Sequence, residues 1–344
     1  MKRPGQGNAV TVKAKAMYAK RLKHGDYTTL ISMTSTAEVV DYLKNETGYA
    51  SALEGFSASA PYQGQFSLLL HARLIDELQT LIRYEKAAGL ELYQAFITSY
   101  DCIQILHRLR TLGKEIDEDY VSIMPMRYVS LSHLDLVELM KAKTFPDVIS
   151  CLNKTEYRAL LGSNEQEVFF RENMIFAEAH MQGFCNNKLL QAIQKDCGKK
   201  QGVALLELAE FESDVRTLLS LYRVKRLTNE SESVLRRLVQ PNFTLLSRSQ
   251  IEAILTAETA ADMVKAAEQT PYAEMFHGEG VQASAMRMIT RRIKKAMSYS
   301  QDAAQTLWCF VKLREMEIND ISNIFEGVRC QASPELITRY IYCD

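Results

Sequence analysis

Apolar residues along this chain recur at three- and four-residue spacing, and one arrangement of them occurs three times. Ser35-Thr-Ala-Glu38 has the form of a capping box, with Val39, Val40 and Leu43 opening an apolar stripe directly after it. In such a box a hydroxyl accepts the orphan N–H three residues on, and the acid answers back to the cap. The same offsets recur at Thr144 to Asp147 with Val148, Ile149 and Leu152, and at Thr259 to Asp262 with Met263, Val264 and Ala267. Each predicted helix runs into a tyrosine two residues after a threonine: Thr47-Gly-Tyr49, Thr155-Glu-Tyr157 and Thr270-Pro-Tyr272. Pro271 opposes helix at that point, so the Thr-x-Tyr marks a helix end.

A second marker lies further along each copy. Asp101 precedes Arg110, Asp214 precedes Arg223 and Asp320 precedes Arg329, each by nine residues. Positions one, four, five and eight after each Asp are apolar or amphipathic: Cys102, Ile105, Leu106 and Leu109; Val215, Leu218, Leu219 and Tyr222; Ile321, Ile324, Phe325 and Val328. That is the face of a buried helix. Either marker alone is common, but both recur in the same order at intervals of about 110 residues, which predicts a triplicated chain. The expected domains are residues 7–117, 118–228 and 229–344.

One copy reads as a lead-in helix (12–21 in the first), a short helix, the capped helix and two long helices such as 66–87 and 90–112. The fold class is all-α, with three divergent helical repeat domains that form either a bent row or a pseudo-threefold ring. Candidate joints fall at 113–119 and 228–233. Seven prolines and fifteen glycines in 344 residues agree with long helices rather than a strand-and-turn architecture.

Charge and cysteine content narrow the function. Forty-one basic residues against forty-two acidic ones leave a net charge of −1, so nothing forces a nucleic-acid partner. The seven scattered cysteines form no CxxC, which argues against a zinc knuckle or redox dithiol; buried free thiols in a reducing compartment are expected. The N-terminal stretch lacks the apolar core of a signal peptide, and no run approaches the roughly 20 apolar residues of a membrane helix. A soluble protein is expected, without direct membrane insertion.

The search for chemistry returns no candidate. The six histidines form no HExxH or Cys/His ligand spacing, and no GxSxG elbow or P-loop is present. The string from Cys197 to Gly202 reads as a basic loop between helices, and His277 to Gly280 as a turn. Arg291, Arg292, Lys294 and Lys295 form the densest basic run, read as a solvated face in preference to a docking patch. The repeat Asp and Arg residues read as structural: either macrodipole partners near helix ends or mid-helix contacts between neighbouring units. Trp308 reads as core. No catalytic residue, cofactor, metal or small-molecule substrate is expected. The structural anchors are Ser35, Glu38, Tyr49, Asp101, Arg110, Thr144, Asp147, Tyr157, Asp214, Arg223, Thr259, Asp262, Tyr272, Asp320 and Arg329.

The lead-in helix ValLysAlaLysAlaMetTyrAlaLysArgLeu (12–22), the AspTyrThrThrLeuIle and ThrAlaGluValValAspTyrLeu that follow, and the closing AspIleSerAsnIlePheGluGlyValArg (320–329) resemble the C subunit of bacterial and archaeal V-type ATPases, the family of the eukaryotic d subunit. That family often carries Asn three residues after the repeat Asp; here Asn323 does, with Gln104 and Thr217 in the other copies. The resemblance implies a funnel of three helical domains around a pseudo-threefold axis, at the cytoplasmic face of the membrane. Its implied partners are the central-stalk subunits and the membrane proteolipid ring. The implied work is torque transmission between ATP hydrolysis or synthesis and transport of protons or sodium. The alternatives are a helical scaffold or adaptor unrelated to any ATPase, and an enzyme with a site in a cleft between units.

Overall fold

The computed structural model describes residues 6–56, 63–85, 91–112, 129–161, 174–197, 199–228, 230–278 and 280–343. Every regular element among them is helical. The first copy supplies α1 (Gln6–Tyr18), α2 (His24–Ile31), α3 (Thr36–Glu46), α4 (Gln63–Glu85) and α5 (Glu91–Arg110). The second supplies α6 (Leu136–Lys141), α7 (Phe145–Leu152), α8 (Met174–Asp196) and α9 (Lys199–Leu227). The third supplies α10 (Glu232–Leu235), α11 (Arg248–Thr256), α12 (Ala260–Ala267), α13 (Val281–Tyr299), α14 (Ala303–Arg329) and α15 (Pro334–Thr338). The joint expected at 113–119 lies outside the described residues. The string from Cys197 to Gly202 differs from its reading as a loop, because α9 already begins at Lys199.

Helices α3, α7 and α12 start and stop by the same local chemistry. Ser35 Oγ accepts from Glu38 N at 3.2 Å, and the Glu38 carboxylate accepts from the backbone of Thr34 and Ser35 at 2.9 and 3.3 Å. Thr144 Oγ1 accepts from Asp147 N at 3.3 Å, with Thr144 N returning to Asp147 at 2.8 Å. Thr259 Oγ1 accepts from Asp262 N at 3.1 Å, while the Asp262 carboxylate takes the Thr259 hydroxyl and Lys265. Each cap is worth about 0.5–2 kcal/mol. At the far end a threonine hydroxyl donates to a terminal helix carbonyl: Thr47 to Leu43 O at 2.5 Å, Thr155 to Leu152 O at 2.8 Å and Thr270 to Ala267 O at 2.6 Å. The threonine of each Thr-x-Tyr therefore satisfies a helix end, one of the groups a terminus leaves orphaned.

The described residues fall into two compact units. One takes those up to 85, 129–130 and 290–343; the other takes 91–112 and 131–289. In the first unit α14 packs against α1 and α4, with α2, α3 and α15 laid on it. Its Trp308, Phe310, Ile318, Ile321 and Ile324 are buried, each worth about 1.5–3 kcal/mol of burial. Phe66 of α4 stacks on Phe325 with ring centroids 4.1 Å apart. Gly327 lets α15 lie close, since a Cβ there would stand 2.6 Å from Ile337 Cγ1. In the second unit α5 runs along α8 and α8 beside α9, with α6 and α7 seated on α5 and α12 on α9. The long helices thus interleave between copies. The first long helix of copy two packs on the second of copy one, and α4 of copy one packs on α14 of copy three.

Candidate functional site

The repeat aspartates lie in the middle of long helices, buried, and not near their starts. A macrodipole role is therefore replaced by a socket role. Asp101 on α5 accepts from Ser132 Oγ at 2.6 Å, His133 N at 3.0 Å and Tyr157 Oη at 2.8 Å. Asp214 on α9 accepts from Thr244 Oγ1 at 2.5 Å, Leu245 N at 2.9 Å and Tyr272 Oη at 2.6 Å. The two sockets match atom for atom: a hydroxyl, the next backbone N–H, then the phenol of the Thr-x-Tyr. Even the hydroxyl's second bond repeats, from Leu134 N to Ser132 and from Leu246 N to Thr244.

The third socket divides the work between two carboxylates on α14. Asp320 accepts from Tyr342 N at 3.1 Å and from Cys343 N at 2.7 Å. One turn earlier, Glu317 accepts from Tyr49 Oη at 2.7 Å and from Leu22 N at 3.0 Å. The tyrosine of the first copy is thus held by the last long helix. Arg314 neutralises this deeper site: it reaches Glu317 at 2.5 Å, Glu77 at 2.9 and 3.2 Å, and Met17 O at 3.4 Å. Its side chain is 1% exposed. Arg73 joins Glu77 at 3.1 Å and lies 4.1 Å over the Tyr49 ring. Gly48 leaves room for this guanidinium, since a Cβ there would stand 2.6 Å from Arg73 Nη2 and the arginine would have to shift.

Burial pushes the Asp101 and Asp214 carboxyls above the ordinary range despite the donors that favour their ionised forms. Asp320 is pushed up to about 7 by burial. The Tyr49 and Tyr157 phenols are raised by burial and by the adjoining acids. These are neutral donors on buried carboxylates.

The marker arginines share no common role. Arg110 pairs with Glu178, Arg223 bonds Gln282 and Arg329 pairs with Glu326. Exposed pairs such as Arg110–Glu178 and Arg329–Glu326 contribute about 0–1 kcal/mol. Asn323 does have a task, donating to Tyr340 O at 3.0 Å and so holding the C-terminal segment. Reading the residues missed Glu317, Arg314 and the hydroxyls of Ser132 and Thr244. The last pair left one faint signal, a hydroxyl two residues before a leucine in both Ser132-His-Leu134 and Thr244-Leu-Leu246.

No set of these groups is arranged for catalysis. Ser132, His133 and Asp101 are triad residue types, but the serine donates to the aspartate itself, and His133 Nε2 faces Gln94 at 3.1 Å. A triad needs the histidine between the two. Glu210, pushed up to about 7 by burial and by Asp214, has no nucleophile beside it among the described contacts. A polar hollow of about 180 Å³ is lined by Lys225, Thr228, Glu230, Glu232 and Glu258. It is smaller than a usual ligand pocket of about 300–1,000 Å³, and Lys225 is spent on the carbonyls of Leu255 and Ala257. Among the described residues no group of three or more His, Cys, Asp or Glu could hold a metal ion. The thiols are mixed: Cys102, Cys185 and Cys309 are buried, whereas Cys330 is exposed, correcting the expectation of burial there.

The family model for the ATP synthase (C/AC39) subunit matches residues 10–340. The chain belongs to that family. It is thus a member of a subunit family of V-type ATPases and ATP synthases, and the match covers the sockets of Asp101 and Asp214 whole. No individual curated protein matches it. No helix of the described residues is long and apolar enough to cross a membrane.

Proposed function

We propose that this chain is the non-catalytic central-rotor connector of a V-type ATPase. It joins the central stalk to the membrane proteolipid ring at the cytoplasmic face, and it passes torque between ATP hydrolysis or synthesis and transport of protons or sodium. The family match over residues 10–340 is the observation that carries this reading. The arrangement of sockets supports it. A rotor connector needs stiffness under load, and α5, α9 and α14 are each tied to a neighbouring module by a buried carboxylate holding two or three donors. The docking of Tyr49 on the last long helix favours three domains, 7–117, 118–228 and 229–344, closed around a pseudo-threefold axis as a funnel. A funnel mouth would offer the wide, multi-point interface that torque requires.

The test is an affinity pull-down of the tagged protein from gently solubilised native membranes, with the partners identified by mass spectrometry. Recovery of the proteolipid ring together with central-stalk subunits is expected. A lone protein, from membranes whose ATPase purifies intact without it, would overturn the assignment in favour of a free-standing helical scaffold.

A further inference from the structure

Helices α4, α8 and α13 are the first long helices of the three copies, yet they differ sharply in charge. Helix α4 balances Arg73 and Arg83 against Asp76, Glu77 and Glu85, and α8 balances Lys188 and Lys195 against Glu178 and Asp196. Helix α13 carries Arg287, Arg291, Arg292, Lys294 and Lys295 and no acidic residue at all. The shared fold does not require this, since its two counterparts do without it.

The sequence pattern spreads this basic run around the helix, and the structure sorts it. Lys294 turns inward and donates to Cys343 O at 2.6 Å. Ile293 and Met297 are buried beneath the helix. Arg291, Lys295 and Tyr299 follow one another at i, i+4 and i+8, with Arg292 flanking them, and all four are exposed. They form a stripe about 12 Å long at 1.5 Å per residue. Tyr299 is 78% exposed. Lys15 of α1 lies at the same end, donating to Ser298 O and Ser300 O at 3.1 and 2.7 Å, so the carbonyl end of α13 brings no uncompensated negative pole to the stripe.

We propose that this stripe is a contact for the headgroups of an anionic lipid bilayer. Net charge supports the orientation: the whole chain carries −1 while α13 alone carries five cations. An anionic plane therefore attracts this helix and repels much of the remainder. The lack of an apolar anchor fits lipid better than protein. Arg and Tyr also occur at protein interfaces, but those centre on a buried apolar anchor, and this stripe is cationic with no apolar side chain exposed between its charges. An exposed tyrosine at its end suits the headgroup layer, where amphipathic aromatic rings settle. Juxtamembrane basic residues each add about fivefold to partitioning onto an anionic surface.

The experiment is vesicle flotation of the full-length chain in 50 mM and 300 mM KCl. It compares phosphatidylcholine vesicles with vesicles containing about a third phosphatidylserine. Binding to the anionic vesicles alone, released by the higher salt, is expected. The triple variant Arg291→Gln/Arg292→Gln/Lys295→Gln should bind about 100-fold more weakly. The variant Arg291→Lys/Arg292→Lys/Lys295→Arg, which keeps the charge, should bind as the parent does. Far-UV circular dichroism and Trp308 fluorescence check that all three proteins are folded. Equal binding to both vesicle types, no binding to the anionic ones, or a triple variant that binds undiminished would each overturn the proposal. So would a triple variant that still floats with anionic vesicles but no longer assembles with partner subunits, which would assign the stripe to an acidic protein surface. The isolated chain needs no partner subunit for vesicle binding, so failure here leaves the rotor assignment standing.

Discussion

Arg314 offers the sharpest test of how the first unit is held together. Its guanidinium, 1% exposed, bonds Glu317 and Glu77, and Glu317 in turn receives Tyr49 and Leu22. Arg314→Met fills similar volume with an apolar chain and leaves Glu317, 4% exposed at its side chain, without its cation. Glu77 keeps Arg73 at 3.1 Å, so the damage centres on one carboxylate. Removing one partner of a buried pair costs about 3–5 kcal/mol, because the remaining charge is stranded. For a folding unit of this size that lowers the unfolding midpoint by roughly 10 °C.

The assay can be confined to the affected unit. Trp308 is the only tryptophan in the chain, lies on the same helix as Arg314, and is buried in the first unit. Its fluorescence reads that unit, while far-UV circular dichroism reads all the helices. The double variant Arg314→Met/Glu317→Gln removes both charges and should recover more than half of the loss, because no ion is left stranded. A single variant within about 1 kcal/mol of the parent would refute the reasoning. Strictly additive single and double variants would refute it equally.

Tyr157→Phe and Tyr272→Phe each remove a phenol from a buried carboxylate at 2.8 and 2.6 Å; urea unfolding should show losses of about 1.5–3 kcal/mol for each, similar to one another. Tyr27 has the opposite sign: it is 1% exposed and its hydroxyl finds no hydrogen-bond partner among the described residues, so Tyr27→Phe should stabilise by about 1 kcal/mol, and a loss in the same assay would contradict that. Asp320 has a folded pKa of about 7, raised above the ordinary carboxylate value. The native state then holds a proton that the unfolded chain has released, so this group's contribution to stability falls as pH rises from about 4 to 7 and is flat above. Asp320→Asn should lose that slope, measured as the difference in midpoint between variant and parent from pH 5 to 8; a difference independent of pH would refute the assignment.

Much of the fold was legible because it is written locally. A capping box needs only four consecutive residues, and a buried helix face repeats every three or four, so α3, α7, α12 and the helices bearing Asp101, Asp214 and Asp320 could be placed from spacing alone. The sockets were less legible, since each joins residues far apart in sequence. Tyr157 and Asp101 are 56 residues apart, and Tyr49 and Glu317 are 268 apart. The marker arginines show the converse: a nine-residue spacing repeated three times, with three different partners at or near the surface. Spacing records common descent of the helices, but it does not say which recurring side chains still carry load. The basic run on α13 was visible as charge, yet only the burial of Ile293 and Met297 and the inward turn of Lys294 decide which cations reach the surface.

The third socket departs from the other two in the donors that reach it. After α5 and α9 the chain returns about 30 residues later and donates a backbone N–H to the Asp it has just left, and the next Thr-x-Tyr then fills the same carboxylate. After α14 the chain also returns, 22 and 23 residues on, and there Asp320 receives the backbone N–H groups of Tyr342 and Cys343. The only remaining tyrosine of that kind is Tyr49, and it comes with its own backbone donor, Leu22. One carboxylate on α14 would then face four donors from two separate segments. Two carboxylates a turn apart solve the crowding, and Arg314 offsets the second charge that this solution buries. The ion pair therefore accompanies the docking of the first copy's Thr-x-Tyr on α14. A variant with Glu317 apolar should weaken the docking of residues 22–49 while leaving the Asp320 clasp on the C-terminal segment intact, and amide exchange at Leu22 against Cys343 would separate the two.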